Sequence, residues 1–595
     1  MRADPVSRLQ RAVQQSPLPQ HSFFLLLVGL WLGAIVYGCG QARPPASASG
    51  EHSAQRQAAA GQSIRFVDIS KSAGIRFVHQ SAKSQRKYMV ETMGSGCAFL
   101  DYDGDGWQDI LLLNNAPLTG GEVTGIPRLA LYHNNRNGTF TDVTAGSGLD
   151  REPMYAVGVA VGDYDNDGRD DIYISCVLGP GHLFHNEGHG RFRDATQEAG
   201  VGNKGMWGAS CMWIDYDRDG LLDLFVCNYV PYRSLADDVP CYAGDPLKNV
   251  YCDPKAYRTT HCTLYHNEGH GRFKDVTLSS GLGSLKGKSL GVAMWDTTGS
   301  GWPDLFVAND DTATFLLKNG HDGTFKEIGI ESGIAFMANG SAPSGMGIDA
   351  DDLYNDGSLC LVISNFQGRR TLLFHAAQSG LFLEEGDSSG IGQATADVLG
   401  FGVFACDFDN DGWKDILQVN GHVDDGVAER EPGIGYAQPT LLLRSLGDHR
   451  FAEVGLKSGA PFDRKIVGRG AAWGDIDNDG RPDVLILQNN GPALLWHNET
   501  PAKNHWVTFK LIGVRSNRDG IGALVTVTAS GMTQRTMVRG GSSYCSQSDM
   551  RPHFGLAGSP TADISIRWPS GVIDRIPSVP ADRIWTVREG TGRVE

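Results

Sequence analysis

The stretch DYDGDGWQD at residues 101–109 places aspartates at its first, third, fifth and ninth positions and a glycine at its sixth. The same pattern recurs four more times in intact form. The carboxylates of the five intact copies are Asp101, Asp103, Asp105 and Asp109; Asp163, Asp165, Asp167 and Asp171; Asp215, Asp217, Asp219 and Asp223; Asp407, Asp409, Asp411 and Asp415; and Asp475, Asp477, Asp479 and Asp483. Two further copies are degraded, DTTGSGWPD at 296–304 and DLYNDGSLC at 352–360. Seven copies of one motif indicate a repeat architecture rather than several unrelated domains.

Two other motifs alternate with these acidic loops. An aromatic residue followed two positions later by an acid precedes each loop, at Phe66, Phe140, Phe192, Phe273, Phe325, Phe382 and Phe451. The triplet YHN at 132–134 returns as FHN at 184–186, YHN at 265–267 and WHN at 496–498. In the first unit, Asn137-Gly138 lies between apolar runs, which is a strong signal for a β-hairpin turn. Each unit is therefore predicted to form four short strands.

Seven four-stranded units in tandem predict an all-β fold, a seven-bladed β-propeller spanning residues 62–500. The last unit stops at 496–498 and lacks its Phe-x-acid strand. A surplus strand at Phe66–Ile69 can supply it, which would close the ring and remove free sheet edges that promote aggregation. An open solenoid is the alternative arrangement.

The composition agrees with many short strands and with bound cations. Glycine contributes 77 of the 595 residues, more than is typical, which indicates many tight turns. Acidic residues outnumber basic ones by 68 to 52, giving a net charge of −16. This charge argues against nucleic acid as a partner, because binding to nucleic acid needs a basic surface.

The acidic loops have the ligand chemistry of calcium sites. Alternate aspartates point several carboxylates inward, glycine permits the sharp bend, and hard oxygen ligands in this number favour Ca²⁺. An EF-hand is excluded, because it needs a glutamate at position twelve and flanking helices, whereas position twelve here lies in a predicted strand. The alternative is an acidic surface turn. We expect about five structural calcium ions and none in the two degraded copies, because the thiol of Cys360 is a soft ligand.

The repeat resembles the FG-GAP/VCBS family, whose calcium-loop repeats build the propellers of integrin α chains. The resemblance covers about Phe66 to Asn498. It implies that the loops are structural and that ligands bind on other surfaces of the propeller. Because the family serves many functions, the fold alone does not settle the function.

Residues 501–595 are predicted to form a small β-rich domain with strands at 505–512, 523–529, 536–539, 563–568 and 583–588. The segments NHW at 504–506, SNRDGIGA at 516–523, GGSSY at 540–544, HFGL at 553–556 and RWPSG at 567–571 closely resemble the ASPIC/UnbV domain. A propeller followed by this module is similar to the cartilage acidic protein family and its bacterial relatives, which implies a secreted, calcium-loaded interaction protein and no reaction. Ser542, Ser543, Tyr544, Asp549 and His553 lie close in sequence, but without a Gly-x-Ser-x-Gly elbow they are predicted to be structural.

The N-terminus has the features of an export signal. Arg2, Arg8 and Arg11 precede an apolar run from Phe23 to Tyr37 that suits a signal peptide and is too short to span a bilayer. The run ends at Cys39 in a sequence that resembles a bacterial lipobox, so residues 1–39 are predicted to be a signal with Cys39 as the lipidation site. An ordinary secretory signal is the alternative. Residues 40–61 are predicted to be a flexible tether, and the mature protein is expected to be extracytoplasmic, attached to a membrane only through lipid.

Three insertions mark the predicted binding face, at Ala116–Arg128, Tyr229–His261 and Gly421–Pro439. All three follow the strand that comes after an acidic loop, so we expect them on the face opposite these loops. Long loops on a rigid scaffold are typical binding sites. The alternative is that they only cap the ring. The cysteines of the second insertion suggest a disulfide, with Cys241–Cys252 as the first pairing and Cys227–Cys262 as the second; their spacing matches no zinc signature.

These observations predict an extracytoplasmic calcium-binding propeller that binds a protein or polysaccharide at the cell envelope or surface. The alternative is an enzyme acting on polysaccharide or another envelope substrate at the mouth of the propeller. An enzyme would need convergent acids outside the calcium loops. The only such cluster in the sequence contains Asp424, Asp425, Glu429 and Glu431.

Overall fold

Each acidic loop joins the first and second strands of a four-stranded antiparallel sheet. The computed structural model describes residues 63–118, 121, 128–150, 153–242, 249–377 and 380–595. Seven such sheets occur within these residues, one for each repeat of the sequence. In each sheet the strands are hydrogen-bonded in an up-and-down order, with the short insertion strands set aside.

We number the sheets in chain order of their acidic loops. Sheet 1 contains Cys97–Leu100, Asp109–Leu112, Ala130–Asn134 and Phe140–Asp142, and sheet 2 contains Ala156–Gly162, Asp171–Cys176, His182–Gly188 and Arg191–Asp194. Sheet 3 contains Gly208–Ile214, Asp223–Asn228, Thr263–Asn267 and Phe273–Asp275, and sheet 4 contains Ser289–Trp295, Asp304–Asn309, Phe315–Asn319 and Phe325–Glu327. Sheet 5 contains Ile348–Asp351, Cys360–Ile363, Leu372–Ala376 and Phe382–Glu384, and sheet 6 contains Gly400–Cys406, Asp415–Asn420, Leu441–Ser445 and Phe451–Glu453. Sheet 7 contains Gly468–Gly474, Asp483–Gln488, Leu494–Asn498 and Phe66–Asp68.

The first strands of the sheets pack against one another in cyclic order, and the first strand of sheet 7 packs against that of sheet 1. The N-terminal strand Phe66–Asp68 completes sheet 7 by pairing antiparallel with Leu494–Asn498, with Phe66 opposite Asn498. This pairing joins the two ends of the repeat region. The predicted latch strand is confirmed, and so is the all-β β-propeller fold.

Glycines allow the first strands of neighbouring sheets to approach one another closely. A Cβ atom added at Gly158 would lie 2.3 Å from the carbonyl oxygen of Ala209, and one at Gly291 would lie 2.3 Å from that of Met346. Side chains at these positions would push adjacent sheets apart. Aromatic residues fill the space between sheets 2 and 3 beside the acidic loop, where Trp213, fully buried, stacks on Tyr164 with ring centroids 6.1 Å apart.

The C-terminal module, residues 505–595, forms two further sheets. One contains His553–Ala557, His505–Ile512 and Arg583–Arg588, and the other contains Met532–Met537, Leu524–Ala529, Thr561–Arg567 and Ile573–Pro580. The strands His553–Ala557 and Ile573–Pro580 were not predicted from the sequence. The first is short and interrupted by a glycine, and the second contains two prolines, which usually argue against a strand.

The segment from Gly540 to Arg551 of the C-terminal module enters the axis of the ring, and we call it the axial plug. Main-chain N–H groups of four first strands donate to its carbonyl groups, from Phe99 to Gln547 (3.0 Å), Val159 to Cys545 (3.1 Å), Trp213 to Gly540 (2.9 Å) and Ile348 to Ser543 (3.3 Å). The side chain of Tyr544 is fully buried. Its hydroxyl donates to the Met93 carbonyl (3.1 Å), and its ring meets Phe401 edge-on. The plug thus replaces solvent along the axis with protein hydrogen bonds.

The helices are short and lie in the connections. The α-helices are Val90–Met93, Thr196–Ala199, Gly329–Ser332, Ile391–Ala394 and Val427–Arg430, and the 3₁₀ helices are Asn203–Gly205, Leu235–Asp237, Pro254–Ala256, Leu282–Ser284, Gly455–Lys457 and Ala460–Asp463. Two-stranded ribbons pair Cys241–Tyr242 with Asn249–Val250 and Gln438–Pro439 with Lys465–Ile466. None of the helices in the described part of the chain has the length and apolar character needed to span a bilayer. The predicted signal, Cys39 and tether lie outside the described residues.

The connection between the latch strand and sheet 1 buries a neutral histidine. The His79 side chain accepts from the Asn490 main-chain N–H at Nδ1 (3.2 Å), and its Nε2 therefore donates to Ser95 Oγ (3.1 Å). Complete burial, together with the nearby charge of Arg469, lowers the pKa of His79 to about 3. The imidazole is therefore neutral in the folded protein at neutral pH.

We predict that His79 makes the protein sensitive to acid. Below the unfolded pKa of ~6.5 the unfolded chain binds a proton that the folded state excludes, so stability falls by about 1.4 kcal/mol per pH unit down to about pH 3. Between pH 7 and pH 5, the free energy of unfolding measured in urea should fall by about 2 kcal/mol less in His79→Gln than in the unmodified protein. The exposed control His270→Gln should follow the unmodified protein. Equal losses in all three would contradict the assignment.

Candidate metal centres and axial pocket

The acidic loop of sheet 2 shows how these loops are built. Asp163 follows the strand Ala156–Gly162, and its carboxylate accepts the main-chain N–H groups of Asp167 (2.9 Å) and Gly168 (2.6 Å). Gly168 has φ +90°, a left-handed conformation that glycine adopts without strain. These bonds wind the chain so that the carboxylates of the loop converge before Asp171 begins the second strand.

Each of four loops also has a histidine from the third strand of its own sheet. In sheet 2, His185 Nδ1 lies 3.1 Å from Asp171 Oδ1 and 3.5 Å from Asp165 Oδ2. The equivalent residues are His133 in sheet 1, His266 in sheet 3 and His497 in sheet 7. In the sequence these histidines were recognised only as part of a repeat motif. They lie on different sheets, and each belongs to its own carboxylate cluster.

These four loops contain buried carboxylates whose ionised form is unfavourable without a nearby positive charge. Burial, reinforced by neighbouring acids, raises the pKa of Asp109 to about 9 and that of Asp215 to about 8. Several buried oxygens have no hydrogen-bond partner: Asp101 Oδ1, Asp109 Oδ2, Asp171 Oδ2, Asp215 Oδ1, Asp217 Oδ1 and Asp477 Oδ1. Converging, unpartnered carboxylate oxygens are a hard donor set, so the loops of sheets 1, 2, 3 and 7 fit a cation such as Ca²⁺.

The loop of sheet 4 contains basic side chains instead. Lys318 stands where the other sheets have histidine, and its ammonium donates to Asp304 Oδ2 and Thr297 Oγ1, both at 2.7 Å. From the C-terminal module, Arg567 Nη2 donates to Asp296 Oδ2 (2.7 Å). Two built-in cations thus neutralise this degraded loop.

The loop of sheet 6 has all four aspartates of the motif and a basic side chain beside them. Arg444 stands at the histidine position, and its Nη2 lies 2.7 Å from Asp409 Oδ2 and 3.2 Å from Asp411 Oδ2. Its guanidinium supplies positive charge to a loop that has all four aspartates. Four loops thus combine four aspartates with a histidine, and the loop of sheet 6 combines four aspartates with an arginine.

The C-terminal module covers the acidic loops. Lys510 Nζ lies 3.3 Å from Asp101 Oδ2, the Asp163 main-chain N–H donates to Asp519 Oδ2 (2.7 Å), and Arg551 Nη1 donates to Asn478 Oδ1 (3.0 Å). These contacts bring the module against the loops of sheets 1, 2 and 7. The loops therefore lie in an interface between the propeller and the module.

The polar residues of the axial plug, and His553 next to it, have hydrogen-bond or ion-pair partners within the protein. Ser543 Oγ accepts the Val403 main-chain N–H (3.1 Å), and Asp549 forms an ion pair with Arg551 (2.6 Å). His553 bonds to Asn410 Oδ1 (2.7 Å) and to Thr508 Oγ1 (2.8 Å).

A second candidate site lies at the opposite mouth of the ring. Because each acidic loop follows a first strand, the ends of the second strands lie on the other face of the propeller. The three insertions leave from these ends, and residues of the second and third, such as Tyr251 and Val423, lie at this mouth. A cavity of about 110 Å³ opens there, with walls formed by Tyr229, Tyr251, Phe366 and Phe401.

Paired charges line one side of this cavity. Lys255 Nζ and Arg369 Nη1 lie 3.3 and 3.0 Å from the carboxylate of Asp311, and the Tyr229 hydroxyl donates to Asp310 Oδ2 (2.6 Å). Asp311 has φ +56°, an uncommon conformation for a residue other than glycine. Such strain is often found at binding sites. The cavity thus combines apolar walls with a few fixed polar groups, as small-ligand sites do.

Comparison with known proteins agrees with the repeats and with the module. The family model described as FG-GAP-like repeat matches residues 101–174 and 176–226, and that of ASPIC and UnbV matches residues 513–594. The chain carries FG-GAP-like repeats and an ASPIC/UnbV domain. It is 23% identical to cartilage acidic protein 1 of Xenopus tropicalis over 505 residues, covering 80% of this chain and 70% of the relative, and 23% identical to the Mus musculus protein over 503 residues with the same coverage.

Among solved structures, a lectin of Agrocybe aegerita that recognises non-reducing terminal N-acetylglucosamine is 14% identical, with a TM-score of 0.38. The alignment covers 67% of this chain and 94% of the lectin.

The sequence of the repeats distinguishes the loops that have a histidine beside their aspartates. The His-Asn pair follows only the loops of sheets 1, 2, 3 and 7, whereas sheets 4 and 6 have Lys318 and Arg444 at the histidine position. The asparagine also connects neighbouring repeats. Asn186 Nδ2 donates to the carbonyl groups of Asp170 (3.0 Å), in its own loop, and Tyr102 (2.8 Å), in the loop of sheet 1.

The cysteines near the cavity adopt one of the two suggested pairings. Cys241 and Cys252 form a disulfide that closes the ribbon of the second insertion. The Cys227–Cys262 pairing is not formed. Both remain free thiols next to the paired residues Val226 and Thr263, and the thiol of Cys262 donates instead to Ser289 Oγ (3.2 Å).

The acids of the third insertion are held in place by other polar residues. Asp425 pairs with Lys83 (2.6 Å) and Lys87 (2.7 Å), and Asp424 pairs with Arg430. Gln367 Nε2 donates to Glu431 Oε2 (2.8 Å), and Glu429 is exposed. The ion pairs attach the insertion to neighbouring segments.

Proposed function

We propose that this chain is an extracytoplasmic, calcium-stabilised, seven-bladed β-propeller that binds a protein or polysaccharide at the cell envelope or surface. The partner binds at the axial pocket on the insertion face. The observation that carries this proposal is the cavity of about 110 Å³, whose lining combines Tyr229, Tyr251 and Lys255 of the second insertion with aromatic and charged side chains of neighbouring sheets. Its position supports the proposal, because the axial plug and the C-terminal module occupy the other side of the ring.

Calcium has a structural role in this proposal. The first, third, fifth and ninth aspartates of the loops of sheets 1, 2, 3 and 7 would hold the ions, and the unpartnered oxygens of these aspartates support it. When bound, each ion supplies the positive charge that allows clustered carboxylates to remain ionised. Because the C-terminal module rests on these loops, the ions would also stabilise its interface with the propeller.

The chemistry of the pocket suits recognition without reaction. Tyr251 and Phe366 offer flat apolar surfaces, and Asp311 is held in place by Lys255 and Arg369. The Cys241–Cys252 disulfide restrains the insertion that supplies part of the wall. Disulfides persist in oxidising compartments, which supports the extracytoplasmic location given by the N-terminal sequence.

A capture experiment tests the binding site. Residues 62–595 are immobilised and exposed to envelope and exopolysaccharide extracts in calcium or in EDTA, with protease-treated and glycosidase-treated extracts to separate protein from polysaccharide. We expect a partner retained in calcium, and binding about tenfold weaker for the double variant Lys255→Ala/Phe366→Ala.

The matched control is Leu381→Ala, which removes an exposed apolar side chain from a hairpin of sheet 5. It should retain the partner like the unmodified protein. Equal binding by the pocket variant and the unmodified protein would exclude the pocket, and no retention of either class of extract would exclude stable envelope binding.

A further inference from the structure

Sheet 5 combines a degraded acidic loop with histidines and an extra acid. Tyr354 replaces the aspartate at the third position of the motif, and Cys360 replaces the one at the ninth position. Directly after its fourth strand, sheet 5 has Glu385, where the other complete repeats have an apolar residue. Those residues are Val143, Ala195, Val276, Ile328 and Val454. Among the complete repeats, only that of sheet 5 has an acidic residue at this position, and the pattern shared by the repeats does not explain it.

Three side chains converge beside this loop. His375 lies on the third strand of sheet 5, and Glu385 follows the fourth strand. His449 reaches across from the hairpin of sheet 6, between Leu441–Ser445 and Phe451–Glu453. One nitrogen or oxygen of each of the three residues lies within 4.8 Å of the other two.

The distances between the nitrogen and oxygen atoms of these side chains fit ligands of one small transition-metal ion. His375 Nδ1 lies 3.4 Å from Glu385 Oε1, and His449 Nδ1 lies 3.8 Å from Glu385 Oε2. Two ligands that each bind zinc at 2.0–2.1 Å in a tetrahedron stand roughly 3.4 Å apart. Two imidazoles and one carboxylate are a donor set that suits zinc, with the fourth position left for solvent or a ligand.

Outer contacts orient all three side chains. His375 Nε2 lies 3.2 Å from Asp356 Oδ2, so this carboxylate can hold the ring with Nδ1 directed at the site. The Tyr354 hydroxyl donates to Glu385 Oε2 (3.1 Å), and its ring stacks on His449 at 3.7 Å. The tyrosine that replaces a calcium-type carboxylate therefore supports both other residues of the cluster.

We propose that His375, Glu385 and His449 bind one divalent transition metal of the zinc class, with Asp356 and Tyr354 as positioning residues. In this repeat a site of nitrogen and oxygen donors takes the place of the hard oxygen site of the calcium-type loops. The metal joins sheets 5 and 6 at their surface. The side chain of His449 is 48% exposed, so the site is open to solvent.

Titration calorimetry of the full chain with Zn²⁺ tests this site. Metals are first removed by chelation, and the titration is run in excess Ca²⁺ so that calcium-type loops do not take up zinc. We expect one tight equivalent, lost or weakened at least tenfold in His449→Ala and in Glu385→Gln. Asp356→Asn, which acts through His375, should weaken it by about 10- to 100-fold.

The matched control is His270→Ala, which removes an exposed histidine from the corresponding hairpin of sheet 3. It should bind zinc like the unmodified protein. Co²⁺ provides a second readout, because a tetrahedral site gives intense visible absorption that His449→Ala should abolish. Equal zinc affinity in the unmodified protein, His449→Ala and Glu385→Gln, or no tight equivalent in the unmodified protein, would overturn the proposal.

Discussion

Removal of calcium is expected to lower the melting temperature of this chain by on the order of 10 °C. An ion present at ten times its dissociation constant stabilises the folded state by about 1.4 kcal/mol per site. Four loops combine clustered aspartates with a histidine at the third-strand position, where sheets 4 and 6 have a lysine or an arginine. Four such sites contribute roughly 5–6 kcal/mol, comparable with the whole stability of a typical domain. Thermal unfolding in calcium and in EDTA measures the difference.

A single-loop variant separates calcium binding from general destabilisation. Asp217→Asn removes a carboxylate with an unpartnered buried oxygen, and it should reduce the calcium-dependent stabilisation by about one site, or 1.4 kcal/mol. The control Thr298→Ala changes the third position of the sheet 4 loop, where Lys318 and Arg567 supply the charge. Its calcium-dependent stabilisation should remain unchanged. A melt of the unmodified protein that is the same in both buffers would argue against structural calcium.

Most of the propeller could be predicted from the sequence, because each repeat is one continuous segment of the chain. Each acidic loop, hairpin turn and Phe-x-acid strand lies within one repeat, so spacing alone predicts which strands are neighbours. The latch followed from counting strands, because the last unit lacked one and Phe66–Asp68 was left over. Such inferences need no knowledge of how distant parts of the chain meet.

Most of the contacts that were not predicted from the sequence join distant segments. Arg444 is the exception, because it shares a repeat with Asp409 and aligns with the histidines of other repeats. Glu385 and His449 meet across two sheets. The axial plug has no strand periodicity, and its hydrogen bonds go to first strands more than a hundred residues away, such as those with Phe99 and Trp213. Short-range patterns carry no information about these pairings.

The axial plug leads to the second large prediction, that the propeller needs the C-terminal module in order to be stable. Without the module, the N–H groups of Phe99, Val159, Trp213 and Ile348 lose their acceptors in the plug. Exchanging each of these protein hydrogen bonds for one to water costs about 0.5–1.5 kcal/mol, and the buried apolar surface around Tyr544 is exposed as well. A chain ending at residue 500 should therefore be expressed in aggregated form, or melt far below the full chain.

Point variants test the same contact without deleting a domain. Tyr544→Ala removes a fully buried ring and should cost about 3–5 kcal/mol in urea unfolding. At Gly96, a Cβ atom would lie 1.6 Å from the carbonyl oxygen of Cys545, so Gly96→Ala should keep the plug from seating. The matched control is Gly179→Ala, because a Cβ atom there meets nothing within 4 Å. If the plug joins the propeller and the module into one cooperative unit, Gly96→Ala should split one unfolding transition into two, whereas Gly179→Ala should leave it single. A single, unshifted transition in Gly96→Ala would show that the plug does not couple the two parts.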